Sequence, residues 1–223
     1  MDEQLIKQKR TSISNEDWFG VVEALNRCGF EGYFAANANQ AAELFWEELF
    51  PDKRPLTVSY GDSLTLKATG LLEALKQHPD VTFIETFEAG MSRAEKTAVR
   101  RDALQSHLFL TGTNALTQDG CLVNLDMTGN RVGGLTFGPE RVVVFVGINK
   151  ICDSLESAMK RVRTIAAPQN ARRHTEFNTP CQKTGVCMNC SSEYRICNVW
   201  TITERCFPKK RIAVVLIGEE IGF

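Results

Sequence analysis

The sequence predicts a three-layer α/β domain built on a mostly parallel sheet. Three observations carry this. Short apolar segments alternate with helical segments at intervals of about 10–20 residues, the rhythm of strand–helix–strand units whose sheet is covered on both faces. The chain has 223 residues, long enough to bury roughly 70–75% of its unfolded surface. Its composition, 43% hydrophobic and 24% charged, is that of an ordinary globular protein. With no internal repeat, low-complexity segment or linker, a single domain over residues 1–223 is expected.

The elements follow in order. Residues 14–28 read as a helix, with Trp18, Phe19, Val22 and Leu25 at helical spacing and Ser14 or Asn15 as cap. Residues 39–49 repeat the pattern through Ala42, Leu44, Phe45 and Leu49, and Pro51 and Pro55 end it. Residues 56–60 form the first apolar strand; the turn Gly61-Asp62-Ser63 leads into a helix to about Gln77. Residues 81–86 are a second strand, and Ser92-Arg-Ala-Glu95 is spaced as a capping box that opens a helix to about Leu104. Residues 107–112 are a third strand. Residues 121–126, 132–137 and 142–146 then read as strands joined by short turns, with no helix between them, a region expected to be β-hairpin-like or mixed. Asp153-Ser-Leu-Glu156 is spaced as another capping box, whose helix runs through Ile165 and is stopped by Pro168. A cysteine-rich loop at 178–206 is read as an appendage, and residues 211–218 return as a buried strand.

Charge and hydropathy exclude some functions. Lys and Arg number 26 against 27 Asp and Glu, a net charge of −1, without the basic surplus that phosphate neutralisation needs; no nucleic-acid partner is expected. The longest notable apolar run is residues 142–148, far below the about 20 residues of a membrane span. The first ten residues lack the hydrophobic stretch of a signal peptide, so a cytoplasmic location is expected.

Two segments offer polar groups at strand ends, where open α/β sheets bind ligands. In the first, Gly61, Asp62, Ser63 and Thr65 occupy a strand-to-helix turn. Backbone N–H groups and the two hydroxyls suit an anion there; equally, Asp62 or Ser63 simply caps the helix. No Walker Gly-Lys-Ser/Thr sequence and no Gly-x-Gly-x-x-Gly turn names a nucleotide. In the second, Gly112, Thr113 and Asn114 leave a buried strand, Asp119-Gly120 marks a hairpin, and Asn124, Asp126, Asn130 and Arg131 follow. The planar donor fork of Arg131 suits a carboxylate or phosphate; the alternative is a polar hairpin whose Asn and Gly serve backbone turns. Lys150 ends another strand and is a candidate anion partner or, if desolvated, a base. Glu219 is a candidate base or a surface carboxylate. The three histidines form no hydrolase arrangement, and no Gly-x-Ser-x-Gly elbow is present.

Eight cysteines in a reducing compartment point to metal or catalysis rather than disulfides. Cys187 and Cys190 have the two-residue gap that presents two thiolates to one metal, and Cys181 and Cys197 lie within loop reach. Four thiolates satisfy zinc or an iron–sulfur cluster. A loop of reduced thiols is the alternative, and His174 is a candidate extra ligand.

Residues 112–124, 129–132, 137–139, 146–150 and 179–187 (Thr-Pro-Cys-Gln-Lys-Thr-Gly-Val-Cys) together resemble the LUD-domain proteins. That family includes the lactate-utilisation protein C type and was formerly a domain of unknown function. The likeness runs from about Tyr60 to Phe223. It implies a fold like the ribose-phosphate isomerase, glucosamine-phosphate deaminase and CoA-transferase superfamily. It also implies an accessory or subunit role in oxidising L-lactate to pyruvate, with iron–sulfur subunits as partners. Two other readings stand beside it: a stand-alone enzyme on a small phosphorylated or carboxylated metabolite, and a metal-binding redox or sensor protein. A small anionic metabolite is the expected ligand, and a homo-oligomer is compatible with the sequence.

Overall fold

The computed structural model describes residues 17–52 and 55–223. The main sheet has six strands: β1 (Glu31–Ala35), β2 (Leu56–Tyr60), β3 (Val81–Phe83), β4 (Leu108–Gly112), β7 (Arg141–Gly147) and β10 (Ile212–Ile217). Their order is β1-β10-β7-β4-β2-β3, and every neighbouring pair is parallel. A second, four-stranded sheet has the order β8-β5-β6-β9, with β5 (Ala115–Thr117), β6 (Leu122–Asp126), β8 (Ile151–Cys152) and β9 (Val199–Thr203).

The near-continuous aliphatic runs of β7 and β10 follow from burial on both faces. The side-chain period of two sends alternate residues to opposite layers. Val143, Phe145, Ala213, Val215 and Ile217 face one core, packed by α2 (Ala38–Leu44) with its π-helical extension Phe45–Leu49, by α3 (Leu64–Ala68) and by α4 (Leu71–Gln77). Val142, Val144, Val146, Ile212, Val214 and Leu216 face the other, packed by α1 (Asp17–Arg27), by α6 (Asn130–Thr136) and by Leu116 and Leu122 of the second sheet. A third cluster joins β5 and β6 to α7 (Leu155–Arg161), which continues as a π turn over Val162–Ala166. The expected three layers and mostly parallel sheet are present.

Several local expectations are corrected. Residues 132–137 are not a strand: α6 occupies Asn130–Thr136. A strand would send Val132 and Leu135 to opposite faces, whereas a helix buries both with Arg131 on one side. The helix after the first strand breaks at Gly70 into α3 and α4. Only Val81–Phe83 of residues 81–86 pairs as a strand. The later capping box is formed by Ser154 with Ser157, not by Asp153 with Glu156. Pro168 does not stop its helix. The π turn bonds the Ala167 N–H to Val162 O, and Pro168 falls in the first turn of α8 (Ala167–Arg173), where its missing N–H is not needed. Strands β1, β5, β8 and β9 were not anticipated. The cysteine segment is more than an appendage, since it contains α9 (Pro180–Thr184) and β9, which pairs with β6. The predicted helix start at Ser14 or Asn15 lies outside the described residues. The capping box of α5 (Arg93–Asp102) is formed by Ser92 and Glu95 as expected.

Candidate functional site

The C-terminal ends of β2, β4 and β7 bring the predicted segments together around two buried cations. The first is Arg131. It enters from α6, and its stem lies against Gly61: a Cβ added there would sit 2.6 Å from Arg131 Cγ. Gly112 likewise leaves room for Ser63, whose Oγ occupies the space a side chain would take. Both glycines are therefore explained by the side chains packed against them. Arg131 is 8% exposed. Nε donates to Asp126 Oδ1 at 3.1 Å, Nη1 to Asn124 Oδ1 at 2.6 Å and to Gly112 O at 3.1 Å, and Nη2 to Asn114 Oδ1 at 2.9 Å. The fork expected to hold a ligand is thus engaged by the protein's own acceptors. Asn114 and Asn124 are tied further: the Asn114 N–H donates to Asn124 Oδ1, and the Leu125 N–H to Asn114 Oδ1.

The second cation is Lys150. It is 4% exposed and stands at the end of the 3-10 turn that follows β7. Nζ donates to Thr65 Oγ1 at 2.7 Å and to Thr113 O at 3.4 Å. Its nearest charged neighbours are cations. Arg161 of α7 donates from Nη1 to Asn114 O at 2.8 Å and from Nε to Asn149 O at 3.0 Å. Among the described residues neither Lys150 nor Arg161 forms an ion pair. Burial first, then the charges of Arg161 and Arg131, push the Lys150 ammonium down to about 7. Burial also lowers Arg161.

Among the described residues two further side-chain atoms in this cluster are unmatched, Asn124 Nδ2 and Asn149 Oδ1. Asn124 is fully buried and its Nδ2 has no hydrogen-bond partner. The amide cannot be turned to relieve this, because both groups that contact Oδ1 are donors. A buried donor left this way costs about 1–3 kcal/mol. The backbone of Ile221 and Gly222 lies over the cluster: Thr65 Oγ1 donates to Ile221 O at 3.2 Å, and a Cβ on Gly222 would stand 2.9 Å from Lys150 Nζ.

Some predicted residues go elsewhere. Asn130 accepts from Thr128 Oγ1 at an exposed position. Asp62 pairs with Lys67 at 2.7 Å and with Arg173 at 3.1 Å, and these partners hold its carboxyl low against the opposing push of burial. Ser63 caps α3 by accepting from the Leu66 N–H. Glu219 accepts from the Ala38 N–H at the start of α2. His107 bonds Thr57, and His78 stacks on Trp46. Arg161 was not singled out from the sequence. It lies among Lys160 and Arg163 on an amphipathic helix, where charge reads as a solvated face.

Away from this cluster, Cys181, Cys187, Cys190 and Cys197 all line one cavity with Ala167, Pro168 and Ile196. Burial raises the Cys197 thiol, Arg195 and Arg163 pull it down, and Cys187 and Cys190 push it up again. Among the described residues no group of three or more His, Cys, Asp or Glu side chains is already arranged around a common metal position. His174 turns to Glu176 and does not line that cavity.

The profile of the LUD domain matches residues 20–217. No curated protein matches the chain. Solved structures do. A DUF162 family protein from Deinococcus radiodurans is 15% identical, with 91% of this chain and 96% of that one covered and a TM-score of 0.47. The eIF2B beta structure from Chaetomium thermophilum is 16% identical over 54% of this chain and 44% of that one, at a TM-score of 0.33. A ribose 5-phosphate isomerase from Plasmodium falciparum is 12% identical over 69% and 67%, at 0.29.

Proposed function

The chain belongs to the LUD-domain family, and on that premise we propose that it binds a small organic anion at its strand ends and serves, as an accessory subunit, the oxidation of L-lactate to pyruvate. The supporting observation is Lys150, a buried lysine set beside Arg161 with no carboxylate among the described residues to balance either. Burying an unpaired cation is costly, and a ligand carboxylate removes that cost. Lys150 and Arg161 hold the carboxylate, and the unmatched Asn124 Nδ2 supplies a neutral donor for a hydroxyl or keto oxygen. Arg131 contacts no ligand in this reading. It locks Asn114, Asn124 and Gly112 in place and acts as a positioning residue. The electrons pass to iron–sulfur subunits, the partners that family membership suggests.

Calorimetry with L-lactate, pyruvate and inorganic phosphate tests the binding step. A carboxylate is expected to bind, and Lys150→Met to weaken it by about ten- to hundred-fold, the worth of a hydrogen bond to a charged group. Unaltered affinity in Lys150→Met would remove the lysine from the site.

A second reading, a stand-alone enzyme, is favoured by the Lys150 value of about 7. Such a lysine is partly neutral at physiological pH and able to act as a base or as a nucleophile toward a carbonyl. The neutral amine would add to the keto carbon of pyruvate and expel water as a Schiff base. Borohydride trapping followed by peptide mapping reads this: an adduct on Lys150 supports the enzyme reading, and an unmodified lysine in a pyruvate-saturated chain rejects it.

A further inference from the structure

We propose that Cys181, Cys187, Cys190 and Cys197 form a tetrathiolate site for one thiophilic metal centre, a zinc ion or an iron–sulfur cluster. The four residues span seventeen positions of the chain and reach the same cavity from different directions. Cys181 stands in the first turn of α9, Cys187 and Cys190 on the loop that follows, and Cys197 just ahead of β9. The other four cysteines do not line that cavity.

Local geometry prepares the site. Asn189, between Cys187 and Cys190, adopts a left-handed conformation with φ 45°, uncommon for a residue with a side chain. That conformation changes the backbone direction inside the two-residue gap between the two cysteines. Arg195 then ties the strands of the loop together. Its Nη1 donates to Cys190 O at 2.6 Å, Nη2 to Asn189 Oδ1 at 3.0 Å, and Nε to Cys197 O at 2.9 Å. One guanidinium thus fixes the backbone of two of the four cysteines and the side chain of the left-handed Asn189 between them.

Charge and burial agree with a centre there. Four thiolates around a zinc ion carry a net charge of about −2. Arg163 stands 3.9 Å from Cys197 Sγ and Arg195 bonds the loop backbone, so two guanidinium groups are already placed to balance it. Between residues 172 and 205 only Thr179 and Ile196 are buried. A segment of that length with so little core holds its shape through another constraint, and metal ligation supplies the free energy in such cases. Closing the site requires expelling the thiol protons, which a bound cation does.

The test uses the full chain, prepared under anaerobic reducing conditions without a metal-affinity step. Metal analysis, visible absorption and mass-mapped alkylation are read together. The expected result is about one zinc per chain, or iron with matching labile sulfide and visible absorbance, with the four cysteines alkylated only after the metal is removed. Cys190→Ser is expected to drop the metal at least tenfold and Cys28→Ser to keep it. Should Cys190→Ser fail to fold, the stoichiometry of the unaltered chain still decides. The proposal is overturned if that chain holds less than about a tenth of a metal, before and after reconstitution with zinc alone or with iron and sulfide, while all four thiols alkylate freely. A Cys187–Cys190 disulfide in the reduced preparation overturns it as well.

Discussion

Lys150 carries its proton in the unfolded chain up to about pH 10.5, and in the folded one only to about pH 7. Between those values the unfolded state binds more protons, so stability rises with pH across that window. Below pH 7 the full burial cost is present. Lys150→Met is therefore expected to be more stable than the parent at neutral pH, by about 1–4 kcal/mol. Each kcal/mol raises Tm by roughly 2–4 °C in a chain of this size. Urea unfolding of both proteins from pH 6 to 10 checks this, and the gap should close as pH rises. Anion binding has the opposite dependence, since it recruits the protonated lysine: affinity should fall above pH 7, and calorimetry in two buffers of different ionisation heat should show proton uptake. Arg131 behaves otherwise. Removing it takes the cation from buried Asp126 and one donor from each of two asparagine oxygens and Gly112 O, so Arg131→Ala is expected to lose about 3–5 kcal/mol in thermal unfolding, and Arg131→Lys not to recover it, because one ammonium cannot span four acceptors. The sequence made the meeting of these residues legible, since Gly, Thr and Asn at strand ends are poor core material. It did not make their roles legible. Whether a guanidinium is saturated depends on Gly112, Asn114, Asn124 and Asp126 standing around it, and chain spacing does not encode that.

Among the elements, those governed by local chemistry were read well. The Ser92–Glu95 box is visible in four residues and is formed. None of the residues of α5 is buried, so its start depends on the cap more than on packing. Ser92→Ala should cost about 1 kcal/mol and appear as faster amide exchange confined to the first turn. Unchanged exchange there would remove the cap as the cause. Elements governed by tertiary contact were read poorly. The spacing of Val132 and Leu135 fits the helical period, but the window is too short for that to stand out, and the anchoring of Arg131 on β4 and β6 holds the helix in place. Pro168 was read as a stop because a regular helix has no place for it, and only the shifted hydrogen bonding of the π turn supplies one.

At the scale of the molecule, the alternation of β7 and β10 between two cores makes the sheet centre the last part to open. Amide exchange should be slowest along β4, β7 and β10, and fastest between residues 186 and 195, where no residue is buried; the reverse order would contradict this packing. The parallel sheet was legible from its rhythm, while the second sheet was not, because strands as short as β5 and β8 carry too few residues to show a period. The segment over Lys150 has a consequence of its own. Ile221 and Gly222 lie close to Nζ, so toward the proposed anion they would act as a tethered competitor whose effective concentration never dilutes. Measured affinity is then the intrinsic affinity scaled by the fraction of time the tether is lifted: lifted one time in a hundred, it weakens binding about a hundredfold. Any partner that grips Gly222 and Phe223 would strengthen ligand binding without touching the ligand, and by reciprocity the ligand would strengthen that grip by the same factor.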